Sequence, residues 1–160
     1  MDAQRLASVS AATMRHGELI DSFCTGLANI EGGETLRSDH IYRAFSNTKL
    51  FTTVLVLLLA DQGCFALADP IKQWLPGFGK LRVLRPGTEA LDDTEPLQRD
   101  ISIRHLLITH QSGLSHGVFD PGSLIYNAYH ARSVRSVQST LAEQMDLLAD
   151  LPLCWQPGEG

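Results

Sequence analysis

The stretch SNTKLFTTVLVLLLADQG, Ser46 to Gly63, carries the pattern on which the rest of the chain turns. Leu50, Phe51, Val54, Leu55, Leu57, Leu58 and Leu59 leave almost no polar side, and Gly63 stands just beyond them. This predicts a helix that starts at Ser46, is buried on every side and is stopped by glycine. Its opening, Ser46-Asn47-Thr48-Lys49, is an S-x-x-K tetrapeptide. A spacing of three sets hydroxyl and amine on one helical face. The positive end of the helix dipole favours an alkoxide at Ser46. A fully hydrated lysine stays protonated at neutral pH, so a base at Lys49 requires shielding from water. A helix cap followed by a surface lysine gives the same four letters, and the surroundings decide between the two.

Towards the N-terminus, Ala7 to Arg15 and Leu19 to Ala28 flank His16-Gly17-Glu18, which predicts a β-hairpin. Glu31-Gly32-Gly33 signals a second turn. Beyond Gly63, Asp69-Pro70 opens a short segment through Ile71 and Trp74 that Pro76-Gly77 closes. Leu81 to Asp100, rich in Pro, Gly and Asp, reads as an excursion or small ribbon. Ser102 caps a helix through Ile108, and Asp120-Pro121 caps and starts another over Ser123 to His130. Thr140 with Glu143 is a capping box for a helix through Ala149, which Leu151-Pro152 ends. Strands come first and helices follow, with no βαβ alternation. The fold class is α/β of the α+β kind, a sheet carrying a helical cluster.

At 160 residues the chain is long enough for one core, and 44% apolar against 19% charged residues is ordinary for a globular protein. The net charge of −5 speaks against nucleic acid as a partner. The pairs Arg82 with Arg85 and Arg132 with Arg135 read as solvated faces. Cys24, Cys64 and Cys154 are scattered, which suits neither a disulfide framework nor zinc. Val54 to Ala60 is too short for a membrane span, and Met1 to Ser10 lacks the plan of a secretory signal. The expectation is a soluble, cytoplasmic protein without cofactor or metal. Among six histidines, His105 and His110 share no helical face and no H-E-x-x-H occurs. Gln111-Ser112-Gly113 is not a nucleophile elbow, so Ser112 is expected to turn the backbone. Trp74 and Trp155 are expected in the core.

Five ordered segments carry a family resemblance. His40 to Lys49, HIYRAFSNTK, looks like the nucleophile segment of the serine β-lactamase and penicillin-binding family, in which an aromatic residue and an arginine precede S-x-[TS]-K. Gly63 to Pro70 is similar to its G-x-x-x-L-x-D-P, and Trp74-Leu75-Pro76 to its Y-L-P. Ile101 to Leu107 with Thr109 to Leu114 resembles I-R-H-L-L-T-H-T-S-G-L, with Ile108 as one added residue. Leu151-Pro152-Leu153 and Pro157-Gly158 resemble the L-P-L-x-x-x-P-G that leads into the family's tyrosine motif. Within the family, Trp155 to Gly158 and the His16-Gly17-Glu18 turn are closest to the class C-like carboxylesterases called family VIII.

The resemblance implies a β-lactamase/transpeptidase-like sandwich of antiparallel sheet and helical subdomain. In this chain 1–45 would be the opening hairpin and approach, and 46–160 the nucleophile helix and helical subdomain. It implies Ser46 as nucleophile and Lys49 as its base, acting through an acyl-enzyme on an ester or β-lactam, with carboxylesterase as the first reading. β-Lactamase and DD-peptidase are the alternatives within enzymes. A catalytically inactive truncated member or interaction module is the alternative outside them. The tyrosine motif, the strand bearing K-T-G or H-x-G, the closing helix and the helix before Ala7 have no counterpart in these residues. The expectation is an incomplete fragment, poorly soluble or only partly folded and inactive alone, in which the apolar helix after Ser46 loses part of its cover. Tyr126-Asn127 and Tyr129-His130 stand in the wrong context to substitute.

Overall fold

A computed structural model describes residues 6–118 and 120–159. The chain divides into two compact units, Met1–Thr48 and Lys49–Gly160. In the first, β1 (Ser8–Arg15) and β2 (Glu18–Asn29) pair antiparallel from Ser8↔Gly26 to Arg15↔Glu18. His16 and Gly17, at φ 53° and 84°, are the two left-handed residues that such a tight hairpin turn demands. A register shift between Thr13 and Met14 bulges the hairpin. The sheet has a third strand that the sequence reading did not include. Asn29 accepts the Gly32 N–H at 3.1 Å through its side chain, and β3 (Glu34–Thr35) returns beside β2. Leu36 is buried, whereas Leu19, Ile20 and Phe23 are exposed.

The second unit contains α1 (Thr48–Asp61) apart from its first residue, the ribbon of β4 (Arg82–Leu84) and β5 (Thr94–Pro96), and the helices α2 (Ile103–Leu107), α3 (Leu124–Ala131) and α4 (Leu141–Ala149). The glycine stop of α1 is as expected: Gly63 is left-handed at φ 75°. Its N–H reaches Ala60 O and that of Cys64 reaches Leu59 O, both at 3.0 Å, the paired bonds of a Schellman ending. The expected burial of this helix is corrected. None of its residues is buried; Leu50, Phe51, Val54 and Leu55 are all more than half exposed. Val56 packs against the main core of the unit.

That core gathers Ile71, Phe78, Leu81, Val83, Ile101, Ile103 and Leu153, brought together from the turns after Pro70, the ribbon, α2 and the C-terminal segment. Leu153 lies parallel to Val83, donates to Arg82 O and accepts from Leu84 N, both at 2.9 Å. A second cluster of Ile125, Ala128, Tyr129, Val134 and Leu151 packs under α3 and α4. Arg85 pairs with Asp93, Arg132 with Asp150, and Arg82 donates to Thr94 Oγ1, so three of the four arginines noted above hold local structure. Trp74 and Trp155 correct the expectation of core packing. Trp74 is half exposed, edge-on to Phe65 at 5.7 Å between ring centres, and Trp155 is also exposed. Among the described residues no helix is long and apolar enough to cross a membrane.

The helix starts follow their caps. Ser102 accepts from His105 N, and His105 Nδ1 accepts from Ser102 N at 3.2 Å, a capping box with histidine in the usual place of glutamate. The cap of α3 is Ser123 and not Asp120, with Ser123 Oγ accepting the Tyr126 N–H. Thr140 and Glu143 form the expected box. Hydrogen bonds from the Thr140 backbone and hydroxyl hold the Glu143 carboxyl below the usual range. A carboxyl lowered on folding adds stability that is complete above its unfolded pKa and disappears as pH falls through the folded value. Thermal midpoints measured from neutral pH down through the carboxylate range should therefore fall less steeply in Glu143→Gln. Parallel curves for parent and variant would remove the box from the account.

Candidate active site

The approach to Ser46 is ordered by short-range bonds. Glu34 and His40 Nε2 lie 3.2 Å apart, and His40 Nδ1 accepts the Arg37 N–H. The backbone then turns at Ala44, whose carbonyl accepts the Asn47 N–H at 2.9 Å. Ser46 sits within this turn, in the 3₁₀ segment Phe45–Asn47, and α1 begins at Thr48. The sequence reading starts the α-helix two residues earlier. The reason for the difference is Phe45, at φ 44°, a left-handed backbone that no α-helix contains. For a bulky residue this conformation costs about 1–3 kcal/mol, and nothing in the sequence announces it.

Ser46 lies two residues before the end of the first unit, and Lys49 opens the second, in the first turn of α1. Both are exposed, and the expected shielding of Lys49 is corrected. The leucines that follow them in α1 are exposed as well.

The other polar residues of the family-like segments hold backbone. Ser112 is buried and its Oγ accepts the Leu114 N–H at 3.2 Å, the turning role expected of it. His105 is committed to its cap; partial burial, then the charges of Arg99 and Arg104, lower its pKa and favour the neutral imidazole that accepts from Ser102. Tyr129 is buried in the second cluster, and burial pushes its phenol up to about 12. Among the described residues no group of three His, Cys, Asp or Glu is placed to hold a metal ion.

Sequence reasoning missed Gln156. It is buried, donates through Nε2 to Glu95 Oε1 at 2.7 Å and Pro96 O at 3.1 Å, and accepts the Gln98 N–H at 3.0 Å. The Gly158 N–H reaches Gln111 O at 2.8 Å. These bonds tie the Trp155–Gly158 segment to both the ribbon and the turn after α2. The x positions of a motif carry no signal for such a residue.

The turn that holds Ser46, the Schellman-terminated helix and the stitched P-G segment occur here in the order of the matching sequence segments. The chain belongs to the Beta-lactamase family, whose model matches residues 1–160. It is similar to the esterase EstB of Burkholderia gladioli, 34% identical over 158 residues that make up 98% of this chain and 37% of EstB. Protein Rv1367c of Mycobacterium tuberculosis is also 34% identical, over 99% of this chain and 38% of that protein. Lovastatin esterase of Penicillium rubens is 30% identical over 96% of this chain and 38% of its own length. Among solved structures, EstCE1, described as a hydrolase with promiscuous acyltransferase activity, superposes with a TM-score of 0.79 at 27% identity. The match covers 98% of this chain and 38% of EstCE1. The fold is β-lactamase/transpeptidase-like, and this chain spans little more than a third of the relatives it matches.

Proposed function

We propose that Ser46 is the nucleophile and Lys49 the general base of a serine hydrolase that transfers acyl groups from small carboxylic esters. The observation that carries this reading is the S-x-x-K tetrapeptide at the mouth of α1, inside a chain 34% identical to an esterase. Ser46 Oγ attacks the ester carbonyl while its proton passes to Lys49 Nζ. The tetrahedral adduct expels the alcohol, which takes that proton, and leaves Ser46 acylated. Water, or a second alcohol, then removes the acyl group by the same path in reverse. The esterase and acyltransferase descriptions of the relatives support both acceptors. Carboxylic esters are preferred over β-lactams because esterases recur among the relatives.

The test is hydrolysis of p-nitrophenyl butyrate by the protein expressed from its whole reading frame, beside Ser46→Ala. Loss of turnover in the variant with unchanged thermal unfolding is expected, and turnover that survives would overturn the assignment. Residues 1–160 expressed alone should bind a hydrophobic dye through the uncovered leucines of α1 and turn over negligibly. A sharp unfolding transition together with Ser46-dependent turnover by those residues would contradict this expectation.

A further inference from the structure

We propose that His105 is a pH-sensitive latch: its neutral ring ties the start of α2 to segment 156–159, and protonation releases the two. The proposal is independent of the assignment of Ser46. The third helical position of a capping box usually belongs to glutamate or glutamine, whose side-chain oxygen accepts a hydrogen bond at neutral and mildly acidic pH alike. Histidine accepts only through an unprotonated ring nitrogen. Here Nδ1 accepts the Ser102 N–H at 3.2 Å, which leaves the hydrogen of the neutral ring on Nε2. A second proton on the ring sets two N–H groups against each other, and turning the ring over presents another N–H. No rotamer keeps the bond. Ser102 is buried and bridges to Pro70, so opening the box leaves a buried donor unsatisfied or moves the segment.

The same residue holds the other end. The His105 carbonyl accepts the Gln111 N–H at 2.9 Å, and the Gln111 carbonyl accepts the Gly158 N–H at 2.8 Å. Gly158 lies directly against the ring: a Cβ there would stand 3.5 Å from His105 Nε2 and 3.2 Å from Arg99 Nη1. The charges around the ring oppose another. Arg99 faces it from the stretch before α2 and Arg104 from α2 itself, while Glu159 on the C-terminal segment pairs with Arg99 at 3.7 Å. Burial first, then these two arginines, hold the ring below the usual histidine value. Freed from these neighbours, an open latch takes up its proton nearer the ordinary value of 6.5, at a higher pH than the closed one does. The latch is therefore complete above the open-state value and weakens as pH falls through it towards the closed-state value.

Hydrogen exchange with peptide mass analysis, on the protein expressed from its whole reading frame, reads both ends of the latch once rates are corrected for the intrinsic pH dependence of exchange. Between about pH 7.5 and 5.5, protection of the peptides that hold Ser102 and Gly158 should fall several-fold, up to a limit of about tenfold. His105→Gln supplies an acceptor that does not titrate, so its protection should stay level over the same range. His105→Glu, charged throughout that range, should stay level too, and takes the place of the glutamine variant if that one does not fold. Equal pH dependence in parent and variant overturns the proposal, as does a parent whose two peptides keep their protection at the acid end. A fall at Ser102 with none at Gly158 also overturns it, because His105 would then be a helix cap and not a latch. Titration of the ring by NMR in the parent keeps the proposal testable whatever the variants do: a His105 value above 6.5 overturns it.

Discussion

Lys49→Arg should be as inactive in ester hydrolysis as Lys49→Ala, both about two to four orders of magnitude below the parent. The side chain is asked to take a proton from Ser46 and return it to the leaving alcohol. An amine does this only while it can exist uncharged. Arginine keeps its proton under all conditions a protein survives, so the conservation of charge is no help. A purely electrostatic role for Lys49, holding a developing oxyanion, would instead let arginine retain much of the rate. The comparison therefore separates base from counter-charge. Turnover by Lys49→Arg within tenfold of the parent would reject the base assignment. The experiment belongs to the protein expressed from its whole reading frame, since Lys49 is exposed in these residues and a base requires shielding.

Gly113→Ala should cost about 2–4 kcal/mol of stability, combining backbone strain with overpacking that cannot relax. Gly113 is buried at φ 81°, and a Cβ there would stand 2.3 Å from Trp155 O and 3.0 Å from Leu153 Cβ. A backbone carbonyl cannot swing aside as a flexible side chain does. The neighbouring Cys154 N–H to Gly113 O bond, at 2.8 Å, fixes the same two segments. Gly63 supplies the control: it is also left-handed, at φ 75°, but has nothing within 4 Å of its Cβ position. Gly63→Ala should cost only about 1 kcal/mol, the conformational part. Urea unfolding of the two variants, compared at equal m-value, measures the difference. Equal losses would mean that Leu153 and Trp155 do not approach Gly113 as closely as described.

Much of the fold was legible because short-range chemistry dictated it. Gly63, Ser102 and the Thr140–Glu143 box each act within one helical turn of their own position, and each stands where its residue type says it should. The hairpin around His16-Gly17 is equally local. The failures were tertiary. An all-apolar helix reads as buried, yet burial is a property of neighbours, and α1 has few within its unit. Trp74 and Trp155 failed in the same way, since size and apolarity do not say which side of a core a ring lies on. In the candidate site, Ser46 and Lys49 were named by their spacing and by the five segments around them. Phe45 was not, because a left-handed aromatic residue runs against local preference and leaves no trace in composition. Gln156 escaped because its partners, Glu95, Pro96 and Gln98, are some 60 positions away in the chain.

Ser46 is expected to carry the acyl group during turnover. Rapid-quench mass spectrometry during p-nitrophenyl butyrate hydrolysis, followed by proteolysis and sequencing of the peptide that holds residues 44–49, tests it without intermediaries. A butyryl increment on Ser46 should build up within the first turnover and disappear when substrate is spent. An enzyme that hydrolyses the ester while Ser46 stays unmodified, or with the increment on another residue, would contradict it.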